Sequence, residues 1–230
     1  MKQTIVLATY GVTVEHRHRD CIDALKARGT LVLEMRASSQ IDIARSVLAC
    51  AALDHGADVA FFIDHDTTFD PADVEAVAEA ARETGGVVGV PYSTRRLGGS
   101  LVGGIDSAKY EEVTFFEGGG LYEAAAVIGM GFTAIHRSVF EKFDALPEYP
   151  VLRCNEGMVR PYFQKIVRDG YWYHEDSSFC TVARELGVSM MVDTRYRLKH
   201  WGLHGFGIED CRLKPRDEPT VKLRLRAGHT

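Results

Sequence analysis

The most constraining feature of the sequence is an apolar run at residues 57–63 that ends in the acidic turn Asp64-His65-Asp66. A near-continuous run rich in Phe, Val and Ile is typical of a strand that is buried on both faces of a sheet. In open α/β sheets, ligands bind beyond the carboxyl ends of the strands. The sequence therefore predicts a layered sheet domain in which this strand delivers two carboxylates to the ligand-binding edge.

The rest of the chain alternates short apolar runs with amphipathic runs, which predicts an α/β domain with a mixed central sheet flanked by helices. Strands are predicted at residues 4–9, 30–35, 57–63, 86–90, 127–135 and 188–193, and helices at 19–28, 38–55, 70–85, 137–143 and 175–187. Ser38 or Ser39 is the predicted cap of the second helix and Asp70 that of the third. Residues 92–121 are predicted to be irregular, and 155–173 are left unassigned. We place a single domain at 1–205 and a basic tail at 206–230.

Composition and charge exclude several classes of protein. The net charge of −5 leaves no overall positive field with which to hold nucleic acid through its phosphates. No apolar run reaches the roughly 18 residues of a membrane span, and no signal-peptide pattern is evident, so a cytoplasmic protein is expected. The five scattered cysteines include no CxxC pair, which predicts reduced thiols rather than a cysteine-type zinc site.

Asp64 and Asp66 are the first candidates for chemistry. Two carboxylates that are two residues apart, with the intervening side chain pointing away, are able to reach one cation, and hard oxygen ligands favour Mg²⁺ or Mn²⁺. The alternative is a capped turn that carries surface acids.

Glu175 and Asp176 open the predicted helix at residues 175–187. Acids in a first helical turn often only complement the helix dipole. The functional alternative is that Asp176, ionised at neutral pH, serves as a general base toward an incoming hydroxyl.

His200 and Arg45 are weaker candidates. A neutral imidazole from His200 is able to complete an oxygen-rich Mn²⁺ or Mg²⁺ site. Arg45 shares an apolar helical stripe and needs an anionic partner if it is buried. Three alternatives are open for Arg45: a pair with Asp42, a head group that reaches solvent, or contact with a ligand diphosphate.

Five motifs in order resemble the GT-A glycosyltransferases, in particular the family-2-like bacterial enzymes. The motifs are IDIARSVLACAAL, VAFFIDHDTTFDP, IGMGFTAIHRSVF, HEDSSFCTVARELG and VDTRYRLKHWG, and the similarity spans most of residues 4–202. The resemblance implies a Rossmann-like GT-A fold and transfer of a sugar, with inversion, from a nucleotide-diphosphate sugar such as a UDP- or GDP-sugar, with Mn²⁺ or Mg²⁺ as the cofactor.

The resemblance also implies roles for individual residues. Asp64 and Asp66 match the DxD that meets the metal and the donor diphosphate, and His200 matches a late histidine that joins the metal. Asp176 matches the catalytic base, with Glu175 beside it. The remaining matched positions are donor-binding ones, namely Thr9, Tyr10, Arg45, Gly129 and Gly131.

Two other enzymes fit parts of the pattern. Asp64-His65-Asp66-Thr67-Thr68 also fits the DxDxT of a haloacid-dehalogenase-like phosphatase, although two strand–helix units precede it here. A sugar nucleotidyltransferase shares the layered sheet and metal acids, but the loop after the first strand lacks its glycine-rich basic run. A non-enzymatic sugar-binding or scaffold module is a further alternative.

The acceptor, the oligomeric state and the function of the tail are left open by the sequence. Acceptors in such families include glycans, lipids, proteins, natural products and modified nucleic acids. The basic residues from Arg212 onward predict a solvated tail, with an anionic membrane, an anionic acceptor or a partner subunit as alternative contacts. The alternating VKLRLR stretch is also typical of an edge strand.

Overall fold

A computed structural model describes residues 2–10, 15–36, 40–202, 204–211 and 220–224. The helices are α1 His16–Ala27, α2 Ile41–Asp54, α3 Asp73–Thr84, α4 Arg137–Asp144 and α5 Glu175–Glu185, with a 3₁₀ turn at Ile208–Cys211. The strands of the first half are β1 Thr4–Tyr10, β2 Leu31–Arg36, β3 Val59–Asp64, β4 Thr67–Thr68, β5 Val87–Gly89, β6 Tyr92–Ser93, β7 Leu101–Val102 and β8 Glu112–Phe116. The second half contains β9 Leu121–Glu123, β10 Phe132–His136, β11 Leu152–Cys154, β12 Gly157–Val159, β13 Ile166–Arg168, β14 Tyr171–Tyr173, β15 Met190–Asp193, β16 Lys199–Trp201, β17 Gly205–Phe206 and β18 Thr220–Arg224.

Seven strands form the central sheet in the order β2-β1-β3-β10-β5-β15-β9. β1 runs parallel to β2 and β3, whereas β10 runs antiparallel to both β3 and β5. The sheet is therefore mixed, and β3 and β5 end at the same edge. The five helices described here flank it in a single domain, so the predicted α/β class is confirmed and is consistent with a GT-A-like fold.

The core lies on both faces of this sheet. Phe62 and Leu7 pack on one face with residues of α2, α4 and α5, whereas Phe61 and Val6 pack on the other face with residues of α1 and α3. All four side chains are at most 1% exposed. This two-sided burial is what the unbroken apolar run of β3 predicted.

Two local predictions are wrong. Asp70 is not the N-cap of α3, because the helix begins at Asp73; the Asp70 carboxylate instead accepts the amide of Ala72 at 2.9 Å and its carbonyl accepts the amide of Asp73, so it caps a separate turn before the helix. The strand predicted from residue 127 begins only at Phe132. The segment before it is held by other bonds, since the carbonyl of Gly129 accepts the hydroxyl of Thr133.

The second helix begins at Ile41 after Gln40, whose side chain makes no capping hydrogen bond. Ser38 and Ser39 lie outside the described residues. The unassigned stretch 155–173 contributes to two hairpins, β11–β12 and β13–β14.

β18 pairs antiparallel with β8, which matches the edge-strand alternative for VKLRLR. Phe206, Ile208 and Val221 are buried. Most of the remaining tail lies outside the described residues, and the boundary at residue 205 stays a prediction. Within the described part of the chain, every helix is too short or too polar to cross a bilayer.

Candidate active site

Asp64 lies at the sheet edge that the sequence predicted. It is the last residue of β3 and is in register with Thr9 near the end of the parallel strand β1. The hydroxyl of Thr9 donates to a carboxylate oxygen of Asp64 at 3.4 Å. Tyr10 ends β1 opposite Arg36, but its side chain is outside the described part of the structure. The two parallel strands thus bring Thr9 and Asp64 together.

Arg45 joins two acidic motifs that are far apart in the sequence. Nη2 of Arg45 lies 3.0 Å and 3.2 Å from the carboxylate oxygens of Asp64, and Nη1 lies 2.9 Å from Oε1 of Glu175. The Arg45 side chain is 5% exposed. Burial by itself lowers the pKa of Arg45, but the two carboxylates outweigh burial and raise it.

This arrangement decides between the alternatives for Arg45. The pair with Asp42 is wrong, because Asp42 contacts Lys165 at 3.3 Å instead. The solvent-directed alternative is also wrong, since the guanidinium is buried. The bonds to Asp64 and Glu175 engage its two terminal nitrogens, so contact with a donor diphosphate stays a prediction.

Asp66 and His200 form a second cluster. β4 pairs with β16 so that His200 is opposite Thr67, and Nε2 of His200 lies 3.3 Å from Oδ2 of Asp66. Nη1 of Arg95 lies 2.7 Å from the same oxygen. Burial would raise the pKa of Asp66, but the hydrogen bond and charge of His200, together with Arg95, hold it below its ordinary value.

The hydrogen bond at the other nitrogen of His200 determines which ring nitrogen carries a proton. Nδ1 lies 3.0 Å from the backbone carbonyl of Ser93, which is able only to accept, so Nδ1 carries a proton. In the neutral imidazole, Nε2 then directs a lone pair at the carboxylate of Asp66. The contact with Asp66 therefore requires either a second proton on the imidazole, which gives the charged hydrogen bond described above, or a cation between the two groups. A backbone partner on the other nitrogen is also the usual arrangement of a metal-binding histidine.

The predicted metal trio is only partly assembled. Asp66 and His200 are in contact, whereas Asp64 faces Arg45. Across the residues that the structure describes, no group of three or more His, Cys, Asp or Glu side chains is positioned to hold a metal ion. A site with all three ligands therefore stays a prediction.

Tyr92 lies between the two clusters and was missed by the sequence analysis. It is 7% exposed, and its ring contacts that of His200 edge-on at 5.0 Å between centroids. Burial, with the nearby charges of Asp64 and Asp176, raises the pKa of Tyr92, so the phenol keeps its proton. Because Tyr92 follows β5 at the same edge as Asp64, the strand-end argument would have found both it and Arg95.

Gly129 and Gly131 make room for Tyr92. A Cβ added to Gly129 would lie 2.6 Å from the phenol oxygen, and one added to Gly131 would lie 2.9 Å from it. The carbonyl of Gly131 also accepts the amide of Asp64. The side chain of Tyr92 thus fills the space beside these glycines. Contact of Gly129 and Gly131 with a ligand stays a prediction.

Asp176 is the second residue of α5, directly after Glu175. Its Oδ1 accepts the amide of Ser177 at 2.7 Å, while Oδ2 has no hydrogen-bond partner among the described residues. Asp176 thus has one oxygen anchored and one available to take a proton.

Comparisons with known proteins support the fold. No protein-family model matches the chain, and no curated protein matches it in sequence. It is similar to the crystal structure of A197 from STIV, with a TM-score of 0.56 and 16% identity over 87% of this chain and 86% of that one. It also aligns with GalNAc-T7 solved with UDP, GalNAc and Mn²⁺, with a TM-score of 0.48 and 11% identity over 87% of this chain and 44% of that one. The likeness to A197 shows the fold alone.

Proposed function

We propose that this protein transfers a sugar from a nucleotide-diphosphate sugar to an acceptor hydroxyl. The observation that carries the proposal is the bridge from Arg45 to Asp64 and Glu175. This bridge joins residues separated by 19 and 130 positions in the chain at one sheet edge. Asp66 and His200 meet beside it, so the acidic motifs and the late histidine that carry the resemblance to GT-A enzymes form one site.

The site also fits a divalent cation. A carboxylate oxygen of Asp66 and an imidazole nitrogen of His200 lie 3.3 Å apart, and these two residues would hold Mn²⁺ or Mg²⁺; a third ligand from Asp64 would require it to leave Arg45. When bound, the cation supplies positive charge that neutralises a departing diphosphate.

The chain's own residues account for the other parts of the reaction. Asp176 uses its unpartnered oxygen to take the proton of the acceptor hydroxyl. The acceptor oxygen forms a bond to the anomeric carbon as the bond from that carbon to the diphosphate oxygen breaks, and a single displacement inverts the configuration. Arg45 keeps Asp64 and Glu175 in place during this step, and Thr9 and Tyr10 are proposed to contact the nucleoside.

The test is a panel of UDP-, GDP- and dTDP-sugars incubated with the full chain and Mn²⁺, in which slow release of free sugar is measured. This hydrolysis identifies the donor without requiring the acceptor. We expect Asp66→Asn and Asp176→Asn to lower the rate by about 100-fold or more, because each removes a group that acts in the transition state. The matched control is Asp54→Asn, an exposed acid at the end of α2, which should hydrolyse at the wild-type rate.

Two outcomes would contradict this function. The first is the absence of hydrolysis and of thermal stabilisation with every nucleotide in the presence of Mn²⁺, since a bound ligand raises the melting temperature by mass action. The second is turnover of p-nitrophenyl phosphate that depends on Asp64, which would favour the phosphatase alternative.

A further inference from the structure

The β13–β14 hairpin carries the most exposed apolar surface of the described chain. Val167 and Trp172 are directly opposite each other across the two strands, so they share one face. They are 70% and 73% exposed, whereas Tyr171, which is paired with Arg168 and also 70% exposed, points to the opposite face of the hairpin. Apolar and aromatic side chains displayed together in this way mark an interaction surface.

The turn of the hairpin has a regular geometry, and its tip contacts α5. Asp169 and Gly170 form its two-residue loop and both have positive φ, the turn that matches the twist of paired strands. At its tip, Nη1 of Arg168 contacts both carboxylate oxygens of Glu185 on α5, at 2.6 Å and 2.7 Å. The aromatic surface is therefore held in place before any partner arrives, which lowers the entropy lost on binding.

The base of the hairpin is fixed to the helix that carries the proposed catalytic base. The hydroxyl of the buried Ser178 donates to the carbonyl of Tyr173 and accepts the amide of Ile166, both at 3.1 Å. Asp176 follows Trp172 by four positions in the chain, so their Cα atoms lie at most about 14 Å apart. The surface thus stands beside the place where an acceptor hydroxyl must be deprotonated.

The charges around the hairpin identify the kind of partner. Arg168 is paired with Glu185, and Lys165 with Asp42, so neither cation adds net positive charge to the surface. An anionic membrane or a polyanionic acceptor would require an excess of basic residues here. A neutral saccharide does not, because the C–H face of a sugar ring packs on an aromatic ring and its hydroxyls bind neighbouring polar groups.

We propose that Trp172, with Val167 opposite it, is the binding surface for the sugar rings of a neutral oligosaccharide acceptor. This inference rests on the proposed transferase function for the reaction that follows binding, but the binding itself is measurable without turnover. The hairpin positions the acceptor chain so that its terminal hydroxyl reaches Asp176.

The experiment probes an array of neutral and anionic oligosaccharides with the labelled full-length protein, and then measures the affinity of the best-bound neutral oligosaccharide by calorimetry. Trp172→Ala should weaken binding by about tenfold, the amount that the loss of one well-stacked aromatic ring implies. Trp172→Phe keeps a smaller ring and should recover part of that loss. The control Met158→Ala removes another exposed apolar side chain, on β12, and should change affinity by no more than about twofold.

The variants are checked for an unchanged melting temperature before their affinities are compared. Binding of no neutral oligosaccharide by the wild-type protein, or equal affinity in Trp172→Ala, overturns the proposal. So does a result in which Trp172→Ala instead abolishes binding to phosphatidylglycerol vesicles or a concentration-dependent dimer. If glycans bind through Trp172 but no donor is hydrolysed by the wild-type protein, the proposed function fails while this surface stands.

Discussion

Replacement of Arg45 by Met tests the central feature of the site. The substitution keeps a long apolar stem but leaves the carboxylates of Asp64 and Glu175 without their shared cation. Both carboxylates contact one guanidinium, so they lie roughly 5 Å apart, and at an effective dielectric constant of about 20 their repulsion is about 3 kcal/mol. Removal of one partner from a buried ion pair costs about 3 to 5 kcal/mol in general. Asp64 is 24% exposed and Glu175 14% exposed, which favours the lower end.

The measurement is urea unfolding at pH 7. At pH 7 we expect the free energy of unfolding to fall by about 3 kcal/mol, and the melting temperature by roughly 6 to 12 °C for a chain of this size. The double variant Arg45→Met/Glu175→Gln should recover most of the loss at pH 7.

The matched control is Lys109→Met, which removes the cation of an exposed ion pair with Glu123 and should cost at most about 1 kcal/mol. A loss below about 1 kcal/mol in Arg45→Met, or no recovery in the double variant, would refute the view that Arg45 stabilises two otherwise repelling carboxylates.

Three further predictions concern the surroundings of the site. Gly129→Ala would place a Cβ 2.5 Å from Val102 and 2.6 Å from the phenol oxygen of Tyr92. Thermal unfolding should therefore show a loss of about 1 to 3 kcal/mol in the free energy of unfolding. An unchanged melting temperature would contradict this close approach. Ser178→Ala removes both hydrogen bonds at the base of the β13–β14 hairpin, and hydrogen exchange should become faster at the amide of Ile166 while that of Ile135 in the central sheet serves as the internal control. Burial, with Asp70 and Asp193 nearby, raises the pKa of Asp73 to about 6. Because the folded state then holds this proton more tightly than the unfolded state, the stability contributed by Asp73 falls as the pH rises from about 4 to 6. At pH 7, Asp73→Asn should therefore raise the free energy of unfolding by about 1 kcal/mol, after subtraction of the lost interaction with the helix dipole. At pH 3.5 the same variant should show no gain. Equal gains at both pH values would show that ionisation of Asp73 is not the cause.

The sequence predicted elements correctly where the local pattern of apolar residues and the tertiary fold favour the same structure. The apolar run of β3 predicted both its burial and the placement of Asp64 at a strand end, because a strand that is covered on both faces has few polar positions. The period of apolar residues predicted α5, at 175–187 against the observed Glu175–Glu185, and the short helix predicted at 137–143 is observed as α4 at Arg137–Asp144. The resemblance to GT-A enzymes implied that Asp66 and His200 lie together, and the two side chains are 3.3 Å apart, while their binding of a metal stays a prediction.

The tertiary structure determined which cationic side chain each carboxylate contacts. Asp64 and Asp66 are two residues apart, yet Asp64 faces Arg45 and Asp66 faces His200 and Arg95, because each carboxylate takes the cation that the neighbouring elements bring to it. Strand register and helix packing set those partners, and neither is encoded in the spacing of the acids. The sequence analysis missed Tyr92 for the same reason. The position of its ring in the site depends on two glycines of a distant segment, Gly129 and Gly131, which leave space for it.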